Sequence, residues 1–191
     1  EGVLDRVVLN TLFPDNCYAN ESGGDPEVIP QLTYEQFLDF HRTYYHPSNS
    51  YIYLYGDMDM EEKLRWLDKE YLCHYDKKDV NSEIHLQKPF DEVQEKTFEY
   101  SIASDESTEE NTFLSYNKVI GTTLDRELYQ AFEILDYALL SAPGAPLKKA
   151  LTDAGVGKDI MGSYDNGVYK PILSVVAKHA KESQKAEFVK V

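Results

Sequence analysis

Over residues 33–72 the hydrophobic period switches from helix to strand and back, and few folds satisfy that order. Thr33 stands three residues before Gln36, the spacing of a reciprocal N-terminal capping box, and Leu32 can staple against Phe37. The helix that follows offers Phe37, Leu38, His41 and Tyr44 or Tyr45 as an inner stripe, and Pro47 ends it. Residues 50–55 then alternate, with Ile52 and Leu54 on one side and Tyr51, Tyr53 and Tyr55 on the other, which predicts a strand. After the stop at Gly56-Asp57, Asp59 and Glu62 form a second capping box, and Met60, Leu64, Leu67 and Tyr71 mark a helix to about residue 72. A strand flanked by amphipathic helices predicts an α/β class of the α+β sandwich type, its helices on one face of mixed, mainly antiparallel sheets.

The flanking segments extend this pattern. Val3, Leu4, Val7, Val8 and Leu12 predict a first helix closed by Pro14, and Ser22-Gly23-Gly24-Asp25-Pro26 is a turn. Residues 76–96 lose periodicity and carry Asp76-Lys77-Lys78-Asp79 and Lys88-Pro89-Phe90; they are a connector between two lobes or a structured loop within one. Beyond it, Phe98, Tyr100 and Ile102 alternate as a strand, and residues 113–119 form another. A helix over 124–140 carries Leu128, Phe132, Leu135 and Leu139, and Pro143-Gly144 breaks it. Pro146 opens a short helix that buries Leu147 and Leu151 and ends near Gly155. Residues 160–164 and 170–177 make a hairpin around Asn166-Gly167, and residues 180–191 are a helical start or a frayed tail.

Composition narrows the partners. Nineteen Lys and Arg against 34 Asp and Glu leave a formal net charge of -15, which repels nucleic-acid phosphates and anionic lipid unless a basic patch intervenes. None does, since Lys77 and Lys78 are flanked by acids and the C-terminal lysines are dispersed. No apolar run approaches the length of a membrane span, so neither nucleic acid nor membrane is an expected partner and a soluble, cytoplasmic protein is expected. Glu1-Gly2-Val3-Leu4 lacks an initiator methionine, which fits an excised or mature product. Cys17 and Cys73 suit buried reduced thiols, with a single disulfide or surface thiols as alternatives.

No constellation carries obvious chemistry, and the expected catalytic, cofactor and metal residues within this chain are none. A helical zinc site needs histidines three or four apart with a glutamate to activate water. His41 and His46 are five apart with Pro47 immediately after, and His74 beside Cys73 and Asp76 is a weak cluster. The serines lack a nucleophile-elbow setting, the glycines at 155, 157 and 162 do not make a phosphate loop, and pairs such as Glu61-Glu62 read as solvated charge. The tyrosine-rich face of residues 51–55 either packs against other elements or holds another chain segment.

The motifs SGGDP, LTYEQFLDFH, YYHPSNS and YLYGD, in that order between residues 22 and 57, resemble the late part of the first domain in the pitrilysin and insulinase superfamily of zinc peptidases. The branch containing presequence protease is the most similar. FEYSIA at 98–103, the helix over 124–140 and APGAPLKKALTDAGVG at 142–157 resemble the opening of that family's second domain. The resemblance implies a metalloprotease-chamber fold in which related α/β domains form a clamshell around an unfolded peptide. It also implies a parent that takes zinc through an inverted H-x-x-E-H motif and a further glutamate, none of which can be placed on this chain.

The expected organisation is therefore residues 1–88 as the C-terminal part of a first peptidase-like domain, and 89–191 as connector and N-terminal part of a second, both incomplete. The expected function is a non-catalytic scaffold and chamber-wall segment of a zinc-dependent endopeptidase that degrades oligopeptides. The alternatives are part of a catalytically inactive relative serving assembly or peptide binding, and a stand-alone binding module. Expected partners are the remaining domains of the same polypeptide and an unfolded oligopeptide. The cofactor is none in this chain and zinc in the parent. Exposed edges are expected to drive self-association of the fragment.

Overall fold

The computed structural model describes residues 2–191. In chain order the main elements are α1 (Gly2–Leu12), α2 (Tyr34–Tyr44), α3 (Met60–Glu70), β1 (Thr112–Val119), α4 (Arg126–Asp136), α5 (Pro146–Asp153), β2 (Asp159–Asp165), β3 (Ile172–Ala180) and α6 (Lys185–Lys190). Single 3-10 turns link several of them, and a π-helical turn, Tyr137–Ser141, extends α4. The chain is thus a mixed α/β fold with helices on a small antiparallel sheet.

Contacts divide the chain into two units. Unit 1 is the described part of Glu1–Ala19 together with Gln87–Val191, and unit 2 is Asn20–Leu86. The N-terminal helix groups with the C-terminal part of the chain. Two ties explain this. Asp15 N donates to Gln87 Oε1 at 2.9 Å while Gln87 Nε2 donates back to Asp15 Oδ2 at 2.6 Å. Tyr169 N donates to Tyr18 Oη at 2.9 Å, and the Tyr18 ring packs 5.1 Å from Phe13, which is 1% exposed.

In unit 1 the sheet has the order β1-β3-β2, antiparallel throughout. β3 is central because its sequence is the most continuously apolar, as a strand flanked on both edges requires. Cross-strand partners share a face, so Leu114, Ala177 and Ile160 form one row, and Tyr116, Val175 and Gly162 the next. On this face the core of Leu114, Leu140, Leu151, Val156, Ile160, Val175, Ala177, Ala180 and Phe188 closes under α4, the π turn, α5 and α6. Gly162 admits this packing, since a Cβ there would lie 2.3 Å from Leu140 Cδ1. β3 carries one extra residue between the pairs Leu114↔Ala177 and Thr112↔Ala180, and His179 takes φ 52 within this bulge.

Several local expectations meet a different outcome in unit 1. Residues 98–102 are not a strand; β1 takes β3 as its partner, and Tyr100 meets the sheet through its ring, 5.6 Å from Phe113, and its hydroxyl, which donates to Asn111 O. Of the expected stripe, Leu128, Phe132 and Leu139 are half-buried, Leu139 against the core, but Leu135 is 42% exposed and Tyr129 and Asp136 are half-buried in addition. For the C-terminal stretch the helical alternative holds, as α6 with Phe188 buried.

Unit 2 consists of helices and turns. The Thr33 capping box is present, with Gln36 N donating to Thr33 Oγ1 at 3.2 Å and Thr33 N to Gln36 Oε1 at 2.8 Å. Asp59 accepts from Glu62 N at 2.9 Å, a one-sided cap where a reciprocal box was expected. Residues 50–55 form no ladder, because a strand exists only through a neighbour and no described residue supplies one. No residue of Asn20–Leu86 is buried. The cysteines are also exposed and free, contrary to the expectation of buried thiols: Cys17 sits in a 3-10 turn of unit 1, and in unit 2 Cys73 Sγ donates to Lys69 O.

Candidate functional site

Chemistry requires convergence of reactive groups, and the histidines do not converge. The His41 ring stacks on Tyr45 at 4.6 Å, on the last turn of α2. His46 lies outside that helix and spends Nδ1 accepting from Ser48 N at 3.1 Å, so it caps the next turn, while its ring meets the edge of Tyr75. His74 closes the 3-10 turn after α3, and His179 occupies the β3 bulge. Among the described residues no group of three or more His, Cys, Asp and Glu is placed to hold a metal ion. The residues present therefore do not fit the zinc that the family resemblance implies, and no catalytic step is assigned to them.

Among the ion pairs on the acidic surface, those of Glu110 and Glu95 join residues far apart in the chain. Glu110, at φ 60 in the turn before β1, pairs with Lys158 at 2.6 Å and Lys181 at 3.4 Å, and these ammonium groups hold its carboxyl below the usual carboxylate range. Lys185 does the same to Glu95 from 2.8 Å. Both arrangements clamp a loop onto unit 1, and neither exposes an unshared reactive group.

Two half-buried polar side chains stand on α4 and β2. Asp136 Oδ1 and Tyr164 Oη are buried without a hydrogen-bond partner. Tyr164 packs on Tyr129 and Phe132 at 6.2 and 5.9 Å between ring centroids. Asp136 follows Phe132 by one turn of α4 and precedes by one turn Leu140, which fills the space over Gly162. Burial raises the Asp136 pKa, and burial, then Tyr129 and Glu133, raise that of Tyr164. Sequence periodicity missed Asp136 because a stripe of leucines one position away, ending in the exposed Leu135, fits the helical spacing equally well. A shallow groove of about 400 Å³ lies by the turn before α5, lined by Pro143, Gly144, Lys148 and Lys149. Lys149 is already paired with Asp153.

What remains exposed is aromatic and apolar, and it is concentrated in unit 2. Phe37, Phe40 and Tyr45 on and beside α2, Leu64 and Trp66 on α3, and Tyr51, Tyr53 and Tyr55 all lie open. No described helix is long and apolar enough to cross a membrane. Such a surface suits contact with polypeptide far better than catalysis.

Comparison with known proteins agrees with the motifs. Residues 31–191 match a family described as the peptidase M16 inactive domain. The chain is 46% identical over 191 residues to "Protein HypA" of Clostridium perfringens, a match covering 100% of this chain and 20% of that protein. It is 37% identical over 166 residues to "Presequence protease 1, chloroplastic/mitochondrial" of Arabidopsis thaliana, covering 85% of this chain and 15% of that one. For "Presequence protease, mitochondrial" of Danio rerio the values are 31% over 165 residues, 85% and 16%. The chain thus spans a fifth or less of the length of these relatives. With the family matched over most of its length and its helices laid on a small antiparallel sheet, this chain belongs to the M16, pitrilysin-like peptidase family, in the presequence-protease branch.

Proposed function

We propose that this chain is a non-catalytic scaffold and chamber-wall segment of a zinc-dependent endopeptidase that degrades oligopeptides. The match of residues 31–191 to the inactive domain of an M16 peptidase carries this reading. The histidine geometry supports it: each ring whose surroundings are described serves a cap, a stack or a bulge. The zinc ligands and the water-activating carboxylate then belong to other parts of the same polypeptide, and the segment's partners are those parts and the enclosed unfolded peptide. In family terms the chain up to about residue 88 closes a first domain and the remainder opens a second. A cytoplasmic location is part of the proposal, and fractionation with an antibody against the chain tests it.

The experiment pairs metal analysis after dialysis with cleavage of an unstructured peptide in zinc-containing buffer. The 191-residue chain is expected to retain no stoichiometric zinc and to give no chelator-sensitive turnover, while the parent-length protein does both. Turnover by the chain alone, lost on His41→Ala or His46→Ala, would overturn the reading. A parent-length protein that binds unstructured peptide without cleaving it would replace it with an inactive, peptide-holding relative.

A further inference from the structure

Asn166 and Gly167 stand in the turn between β2 and β3, and the chain is fixed on both sides of them. Asp165 is the last residue of β2 and pairs with Ile172. On the other side Tyr169 N donates to Tyr18 Oη at 2.9 Å, Tyr169 O accepts from Thr123 N at 3.1 Å, and the carbonyl of the buried Pro171 accepts from Ile120 N at 2.8 Å. Between these points no described residue bonds the Asn166 side chain or the Gly167 amide. Asn166 is half-buried and Gly167 exposed, and a Cβ built on Gly167 would meet nothing nearer than Asp165 Oδ1 at 3.9 Å. A carboxamide free to turn therefore lies next to an amide nitrogen that is unbonded, unhindered and open to solvent.

We propose that Asn166 is a site of spontaneous modification, at which the turn converts itself to isoaspartate. Gly167 N loses its proton to solvent base and attacks Asn166 Cγ. The new N–Cγ bond closes a succinimide ring while the Cγ–Nδ2 bond breaks and Nδ2 leaves as ammonia. Water then opens the ring, at Cγ to give aspartate or at the main-chain carbonyl carbon to give isoaspartate, in which the backbone runs through Cβ and Cγ. One water is consumed and one ammonia released, with no oxidant or other co-reactant. The first step is intramolecular, so its rate follows how freely the two atoms meet. That criterion selects Asn166, the only asparagine followed by glycine. Asn10, Asn16, Asn49, Asn111 and Asn117 make side-chain hydrogen bonds that fix the carboxamide. Asn20 and Asn81 precede Glu21 and Ser82, whose Cβ atoms crowd the attacking nitrogen, and Ser82 N is further engaged by Val80 O at 3.0 Å. Isoaspartate at 166 adds a negative charge beside Asp165 and one main-chain atom ahead of the tie between Tyr169 and Tyr18. The proposal needs nothing from the reading of the parent as a peptidase.

Ageing the 191-residue chain in native, mildly alkaline buffer tests this, with peptide mass spectrometry and electron-transfer fragmentation to follow each asparagine and to separate isoaspartate from aspartate. Asn166 is expected to convert at least about tenfold faster than Asn20 or Asn81, with isoaspartate among its products. Its rate should also lie within about tenfold of that of a short peptide with the sequence of residues 164–169. A larger lag behind the peptide would show that the folded turn shields the carboxamide, and overturns the proposal. Conversion to aspartate alone overturns it too, since direct hydrolysis by water needs no Gly167 nitrogen. Gly167 has no left-handed φ, so alanine fits there without backbone strain, and Gly167→Ala is expected to slow the conversion at least about tenfold. An unchanged rate in that variant overturns the role given to the Gly167 amide.

Discussion

Units 1 and 2 are built from similar parts and reach opposite ends. Around β3, side chains from β1, β2, α4, α5 and α6 close on one another, and Leu151, Val156, Ala177 and Ala180 are at most 1% exposed. In residues 20–86, α2 and α3 are equally amphipathic and better capped, yet not one residue is buried. The difference lies in the sheet. A ladder gives helices a surface to lie on, and where residues 50–55 find no partner the apolar stripes of α2 and α3 have nothing to close against. Caps fix where a helix begins, but packing of an apolar face supplies most of its stability.

The sharpest test of that contrast is a pair of truncations. Leu151→Ala removes a fully covered side chain and is expected to cost about 2–5 kcal/mol in urea unfolding followed by near-ultraviolet circular dichroism. Phe37→Ala, at 66% exposure, is expected to change the same transition by less than about 0.5 kcal/mol. Comparable losses from both would show that unit 2 has a core of its own.

Gly162→Ala is next in size. Its new methyl would overlap Leu140, and the strand cannot retreat without loosening its pairing with Val175, so about 1–3 kcal/mol of overpacking is expected in the same assay. The double substitution Gly162→Ala with Leu140→Val should recover part of the loss, since it removes Cδ1, the nearest of the Leu140 atoms the new methyl would meet. No recovery would place the cost in the backbone instead.

Asp136 offers a smaller effect with a definite sign. Burial holds its folded pKa above the unfolded value, so ionisation at neutral pH weighs against the fold, and stability is lost as pH rises through the folded pKa. Asp136→Asn keeps the shape and removes the charge. It is expected to raise the thermal midpoint at pH 7, and to raise it less at pH 3, where the wild-type carboxyl is mostly protonated. A gain that is the same at both pH values would mean that the charge is not what matters there.

The smallest expected change is at Glu110. Its folded pKa is depressed by Lys158 and Lys181, so its contribution is present above the unfolded carboxyl value of about 4.3 and fades as pH falls through the folded one. Glu110→Gln should lower the midpoint slightly at pH 7 in low salt. The difference should vanish in 1 M salt and at acid pH, as exposed pairs do.

The sequence by itself determined the local structure. The Thr33 cap, the helix stop before Pro47, the start of α5 at Pro146 and the pairing of β2 with β3 follow from interactions a few residues apart or from a short loop, which the order of residues encodes directly. The motifs between residues 22 and 57 likewise pointed to the family, since spaced identities need no coordinates. Only the tertiary structure decided that β3 takes β1 on its far edge while residues 98–102 stay out of the sheet, that α4 turns Asp136 inward in place of Leu135, and that α1 groups with unit 1 through Asp15, Gln87 and Tyr18. Each of these is a choice between partners far apart in the chain. Alternation and helical period mark a face for covering without naming what covers it.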